Sequence, residues 1–163
     1  MNYARKAARP CALRGIGRAV PVMTMAIAVG VASSAFATLG GDVATVAADQ
    51  AHIDGKLAVS RAPKYTVHEI AAPSGAVVRE FVSPAGTVFG VAWTGPTMPD
   101  LRQVLGPYFD RYVEAAAQRH VRGPVLIELP GLVVQSGGHM RAFSGKAYVP
   151  EAVPQGVAID EIR

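Results

Sequence analysis

The chain contains 163 residues, of which half are hydrophobic, and it carries 16 Lys and Arg residues against 12 Asp and Glu residues. Five of the basic residues, Arg5, Lys6, Arg9, Arg14 and Arg18, lie near the N-terminus, so the chain after position 37 has a net charge of 11 − 12 = −1. The excess of basic over acidic residues therefore comes from the N-terminus, and it does not indicate a nucleic-acid partner.

An apolar run, AVPVMTMAIAVGVASSAFA, follows these basic residues and ends in Ala35-Phe36-Ala37. A basic stretch, an apolar run and a small-x-small site form the pattern of an export signal. We therefore expect residues 1–37 to be a signal peptide and residues 38–163 to form a single periplasmic or secreted domain. The run at 19–37 is just long enough to span a bilayer, so an uncleaved inner-membrane anchor is the alternative.

A short helix is predicted at the start of this domain. Asp42 is placed to cap the helix and Gly55 to end it, and Val46 and Ala47 lie at helical spacing between them. Pro63 then stops any continuation and leads the chain into an extended segment.

Two similar stretches, EIAAPSGAVV at 69–78 and EFVSPAGTVF at 80–89, repeat with a period of 11 residues. This period is the length of one strand and one tight turn. The Pro and Gly of each copy suit a type I turn followed by a left-handed residue. The repeat therefore predicts three antiparallel strands, over residues 65–71, 76–82 and 87–93.

The positions of the two turns also predict which residues lie opposite each other. Across the first turn Glu69 faces Arg79, and His68 faces Glu80 on the outer face of the sheet, so opposite charges meet. Across the second turn Phe81 meets Phe89. The other face of the sheet is then apolar and carries Val67, Val77, Phe81, Phe89, Val91 and Trp93.

Residues 101–119 repeat apolar side chains at i, i+3 and i+4, which predicts a long helix that Gly106-Pro107 bends. Asp100 is placed to cap this helix, and Gln103 to complete a capping box. Both the helix and the sheet have an unpartnered apolar face, so we expect the helix to cover the sheet.

The last third of the chain returns to strands, at 125–129 and 132–136. Gly137-Gly138 suits a two-residue turn, with a return strand over 139–143 that continues through GKAYVP. The predicted fold class is α+β: an antiparallel β-meander and a C-terminal hairpin form a sheet, a long kinked helix covers one face, and a short helix follows the signal peptide.

Three stretches together carry a family resemblance: YTVHEI…PSG…VREFVSPAGTVFGVAWTGP, PDLRQVLGPYF and GLVVQSGGHMRAFSGKAYVP. They resemble an uncharacterised family of small exported proteobacterial proteins, the domain of unknown function 2844 family. The resemblance covers essentially the whole mature chain and implies a single exported domain. It implies no activity, substrate or catalytic residue.

Two pairs of side chains have the chemistry of a nucleophile or an acid–base couple. Ser136 and His139 would oppose each other across the predicted Gly137-Gly138 turn, and His68 opposes Glu80. Neither pair has an adjacent orienting group or a Gly-x-Ser-x-Gly elbow, so we assign no catalytic residue. The candidate ligand-binding residues are Trp93, His139, Arg141, His68 and Glu80. For Trp93 the competing interpretation is a core side chain at a strand end.

No metal site or cofactor is expected. The four His residues are scattered, and the single cysteine, Cys11, lies in the predicted signal peptide. The most favoured function is a non-catalytic exported protein that binds an envelope protein, a polymer or a small ligand through a sheet face or edge. The alternative is a small exported hydrolase that uses Ser136/His139 or His68/Glu80. Membrane contact is expected only if the N-terminal segment stays uncleaved.

The export pattern makes a direct prediction about the mature N-terminus. If residues 1–37 are removed after Ala37, mass spectrometry of the exported protein will find Thr38 as the first residue. Recovery of the protein in a membrane fraction with Met1 intact would instead show that the segment is an anchor.

Overall fold

The computed structural model describes residues 39–119 and 123–163, so the predicted signal peptide at 1–37 lies outside the described residues. Within the described part of the chain, seven strands form one antiparallel sheet in the order β1-β2-β3-β4-β7-β6-β5. The strands are β1 Lys56–Arg61, β2 Thr66–Ala71, β3 Val77–Val82, β4 Val88–Gly95, β5 Val125–Leu129, β6 Leu132–His139 and β7 Ala142–Tyr148. The α+β class is confirmed, and β1 is a strand that the sequence did not indicate.

Three α-helices accompany the sheet in this part of the chain: α1 Val46–Ile53, α2 Leu101–Leu105 and α3 Phe109–Ala117. Asp42 caps the 3-10 turn that leads into α1, because its Oδ1 accepts a hydrogen bond from the Ala44 N–H at 2.8 Å. None of the helices in the described ranges has the length and apolar character that a membrane crossing requires.

The single long helix predicted over 101–119 is wrong. The chain leaves the α conformation at Gly106, where φ is 47°, and passes through a 3-10 turn before α3 begins. Proline lacks an N–H and interrupts the i to i−4 hydrogen bonds, so Gly106-Pro107 separates two helices rather than bending one. Asp100 does cap α2, with its Oδ1 accepting from the Arg102 N–H at 2.9 Å.

The repeat forms two equivalent hairpins, as predicted. Glu69 pairs with Arg79 and His68 with Glu80 across β2 and β3. Each turn is closed by the same backbone bond, from Ala72 N–H to Ala76 O and from Ser83 N–H to Thr87 O, both 2.8 Å long. The turn glycines also match, since φ is 85° at Gly75 and 84° at Gly86.

The predicted register of the second hairpin holds only next to its turn. Val82 pairs with Val88, but Phe81 pairs with Gly90, because a β-bulge inserts Phe89 as an extra residue in β4. Beyond the bulge every pair is shifted by one, and Trp93 lies opposite Val78 rather than Val77. A slip of one residue moves side chains to the other face of a strand, so the single apolar face predicted from the sequence is wrong.

Trp93 and Val91 lie on the face that the helices cover, which we call the helical face. Their buried neighbours there include Val104 and Leu105 of α2, and Leu101, Tyr108, Phe109 and Tyr112 pack around the edge of the same cluster. The helical segments therefore cover this face as two short helices, and they do not contact Phe81 or Phe89 as core neighbours.

Phe81 and Phe89 lie on the opposite face, which we call the tail face. There they pack with Ala92 and with Ile162 from the C-terminal segment 149–163, and Ile162 is fully buried. This segment forms two 3-10 turns. Two side chains hold it in place: Oη of Tyr65, just before β2, donates to Glu161 Oε2 at 2.7 Å, and Nζ of Lys146 in β7 donates to Ile159 O at 3.0 Å.

The predicted turn at Gly137-Gly138 is wrong. Both glycines belong to β6, and the turn falls at Met140 and Arg141, with His139 paired to Ala142. A Cβ at Gly138 would collide with the Ala142 carbonyl, so glycine is needed there for close approach of two strands rather than for a turn.

The matched turns give a stability prediction. Gly75→Ala and Gly86→Ala should each lower the free energy of unfolding by about 1 kcal/mol or more, because an L side chain is strained at positive φ. Gly75→Ala should cost more, since its Cβ would also lie 3.3 Å from Pro96 Cγ. The control is Gly137→Ala in β6, where the nearest atom to a new Cβ is 3.5 Å away. Urea unfolding midpoints that are equal for all three variants would contradict the turn assignment.

Candidate functional site

His68 and Glu80 lie opposite each other, but their predicted place on the outer face is wrong. Glu80 is 1% exposed and lies on the helical face, opposite Val91 of β4. The Nδ1 of His68 is buried and has no hydrogen-bond partner among the described residues, and burial lowers the pKa of this imidazole. Because Glu80 is shielded from solvent, the pair is not a solvent-facing acid–base couple.

Glu80 belongs instead to a buried polar cluster, which we define as Asp49 of α1, Glu80 of β3 and Gln103 of α2. Asp49 is 1% exposed and Gln103 is 7% exposed. Gln103 Nε2 donates to Asp49 Oδ1 at 2.6 Å, and Glu80 is hydrogen-bonded to Asp49. The cluster joins β3 of the sheet to α1 and α2. The predicted capping box at Gln103 is wrong because the amide bonds to Asp49.

The hydrogen bond between two buried carboxyl groups requires a shared proton. Burial, together with the hydrogen bond to Asp49 and the charge of Asp49, raises the pKa of Glu80 to about 9. Glu80 is therefore protonated at neutral pH and donates to Asp49, as expected when like charges meet in a site of low dielectric.

Part of the cluster lines a cleft of about 210 Å³. The cleft lies between α1, the turn that joins β2 to β3, and the segment that leads into α2. Asp49 and Gln103 both line it, together with Ser74, Thr97 and Asp100. Of the cluster residues, only Glu80 had been named from the sequence as a candidate site residue, and Gln103 had been assigned to a capping box. Asp49 could have been found, since it occupies the apolar stripe of α1 between Val46 and Ile53.

Trp93 is a core residue. Its side chain is 1% exposed and packs within the helical-face cluster, and the residue also contributes to the lining of the groove described below. The indole Nε1 is buried without a hydrogen-bond partner in the described part of the chain.

The predicted opposition of Ser136 and His139 is wrong. Ser136 pairs with Gly145 and His139 with Ala142, so the nucleophile and the base proposed from the sequence do not face each other. His139 and Arg141 are exposed at the end of the β6–β7 hairpin, where Arg141 adopts φ of 68° in the turn. Nothing in this arrangement activates the Ser136 hydroxyl.

The tail face carries the largest groove among those described here, with a volume of about 480 Å³. We call it the sheet groove. Leu126, Gln135 and Lys146 lie side by side across β5, β6 and β7, in register with Ala92 of the tail-face cluster. Thr94, Ser144, Ile162 and Arg163 also line the groove. The groove thus combines an exposed apolar side chain, several hydrogen-bonding groups and the end of the chain on one open surface.

No three His, Cys, Asp or Glu residues within 39–119 and 123–163 lie close enough to hold a metal ion.

The carboxyl pair makes a prediction about stability and pH. Unfolded Glu80 loses its proton near its ordinary pKa, whereas folded Glu80 keeps it to about pH 9, so stability should fall as pH rises between these values. His68 acts in the opposite direction at lower pH, because its pKa is lowered. Between pH 7 and 8.5 the free energy of unfolding should therefore fall by up to about 1.4 kcal/mol per pH unit.

Glu80→Gln should flatten this dependence, since glutamine keeps a donor toward Asp49 and does not titrate. Glu69→Gln is the matched control in the same hairpin, where Glu69 forms a partly exposed ion pair with Arg79 at 2.7 Å. Denaturant titrations at several pH values measure the slope. If the free energy of unfolding of Glu80→Gln falls with pH as steeply as that of the wild type, the assignment of a shared proton is contradicted.

Comparison with known proteins places the chain in a family without assigning it an activity. No curated protein and no solved structure matches the chain. A family model described as "Protein of unknown function (DUF2844)" matches residues 35–162. This match spans most of the 163 residues and confirms the resemblance noted in the sequence. The chain therefore belongs to the DUF2844 family.

Proposed function

We propose that the protein is exported and acts as a non-catalytic binding or accessory protein in the periplasm or outside the cell. Support for export comes from the basic stretch, the apolar run and the Ala35-Phe36-Ala37 site of the N-terminus. Support for binding comes from the sheet groove, which is the single observation that carries the proposal.

The sheet groove has the properties of a contact surface. Its volume of about 480 Å³ falls in the range of ligand sites. Leu126 is 40% exposed, which is unusual for leucine in the middle of a strand, and it lies next to the polar side chains of Gln135 and Lys146. Apolar surface with a few hydrogen-bonding groups favours recognition of a partner, and no titratable pair in the groove is arranged for proton transfer.

The bound partner is proposed to be an envelope protein, a polymer or a small ligand. The groove lies beside β5, which is an edge strand of the sheet, so an extended partner could use both the groove and the free backbone groups of the edge. A nucleic acid is not favoured, because the chain after position 37 has a net charge of −1, from 11 basic and 12 acidic residues.

The alternative of a small exported hydrolase has less support. Ser136 and His139 occupy positions that are not opposed in the β6–β7 ladder. Glu80 is 1% exposed and protonated at neutral pH, so it offers His68 no carboxylate. Neither pair therefore supplies an accessible nucleophile with an oriented base.

Site-specific photocrosslinking tests the proposed binding surface. A benzophenone amino acid in place of Leu126 should form ultraviolet-dependent adducts in cells that export the protein. Val113 of α3 is the matched control, since it is 44% exposed and lies on a helix away from the groove. Equal adducts from both positions, or none from Leu126, would contradict the assignment of the sheet groove as the binding surface.

A further inference from the structure

The cleft beside the buried polar cluster lies apart from the sheet groove. Its lining residues come from α1, the β2–β3 turn, the start of β3 and the segment 97–104, and it shares none of them with the sheet groove. Ile53, Val78, Met98 and Val104 supply apolar walls, and Asp49 and Gln103 supply buried polar groups. The cleft therefore has an apolar body and a polar end.

Two oxygen atoms of the cluster are buried without a hydrogen-bond partner in the described part of the chain: Gln103 Oε1 and Glu80 Oε2. The orientation of the Gln103 amide follows from its neighbour, because a carboxylate only accepts and the NH₂ group must face Asp49. The amide oxygen therefore remains unsatisfied on a side chain that is 7% exposed and lines the cleft. A buried acceptor without a donor is costly, so the site requires N–H or O–H groups from elsewhere.

The charges around the cleft favour a donor that is also a cation. Two acidic residues, Asp49 and Asp100, line the cleft, and no Lys or Arg is found among its described lining residues. His52 is the remaining titratable residue there and lies at the exposed side of α1. Because Asp49 and Gln103 are almost fully shielded from water, a hydrogen bond formed with them is stronger than one at the surface.

We propose that this cleft binds a short alkylammonium group, either as a free amine or as the end of a lysine side chain. The N–H groups of the ligand are directed to Gln103 Oε1 and the Asp49 carboxylate. Its alkyl chain lies against Ile53, Met98 and Val104. An ammonium group has three donors and no acceptor, which matches a site whose unsatisfied atoms are acceptors. The volume of about 210 Å³ is below that of drug-sized ligand sites, which restricts the ligand to a short chain.

The test compares three probes by isothermal titration calorimetry with the purified full-length protein. n-Butylammonium represents the free amine, N-acetyl-lysine methylamide represents a lysine side chain, and 1-butanol is the neutral match. At least one ammonium probe should bind saturably, and 1-butanol should bind about tenfold more weakly or worse, because it lacks the charge-assisted hydrogen bonds. Binding of only the free amine assigns a small-molecule ligand, whereas binding of only the lysine derivative assigns a protein partner.

The 11-residue repeat provides a matched pair of variants. Ser74 and Ala85 occupy the same position in the two hairpin turns and both are exposed, but Ser74 lines the cleft and Ala85 does not. Ser74→Phe should block the cleft and weaken ammonium binding about tenfold or more, while Ala85→Phe should leave it unchanged. Thr97, whose hydroxyl donates to Ser74 Oγ at 3.3 Å, also lines the cleft, and Thr97→Trp serves if Ser74→Phe does not fold.

Three results would overturn the proposal. If neither ammonium probe binds, the free acceptors are satisfied by water alone. If 1-butanol binds as tightly as the ammonium probes, the cleft is only an apolar cavity. If Ser74→Phe and Thr97→Trp bind as tightly as the wild type, the ammonium group occupies another place.

Discussion

The β-bulge between β3 and β4 is the constraint on which the rest of the domain depends. By adding Phe89 to β4, it places Phe81 opposite Gly90 and shifts all later pairs by one residue. Val91 and Trp93 are thereby directed to the helical face, and Phe89 remains with Phe81 on the tail face. Without the extra residue these four side chains would share one face, and the helical face would lose Val91 and Trp93 from its core.

Each face of the sheet carries its own apolar core, and a different type of element covers each face. The helical face is covered by α2 and α3, with Val104 and Leu105 fully or almost fully buried. The tail face is covered by a narrow segment without strand pairing, anchored by Ile162 and by hydrogen bonds from Tyr65 and Lys146. Because this segment covers only the middle of the sheet, a groove remains beside it over β5, β6 and β7.

The buried polar cluster is the main departure from an apolar core. Asp49, Glu80 and Gln103 come from three different elements and meet at the helical face with almost no exposure to water. Buried polar networks are stable only when their members are satisfied, and here two oxygens are not. The energetic cost of these unsatisfied oxygens lies next to a cleft. Departures from local sequence rules are expected at functional sites.

Local signals in the sequence determined the first hairpin, including the pairs of Glu69 with Arg79 and His68 with Glu80, because turn chemistry sets both the position and the register of a short loop. Local signals also predicted that Asp100 caps α2, and they indicated the family to which the chain belongs. They could not determine the bulge at Phe89: β4 is buried on both faces from Val88 to Trp93, so its sequence has no polar alternation to reveal which side each residue faces. Only the tertiary structure decided that Asp49 and Gln103, 54 positions apart, meet beside Glu80, because no periodicity or spacing records a contact between distant segments.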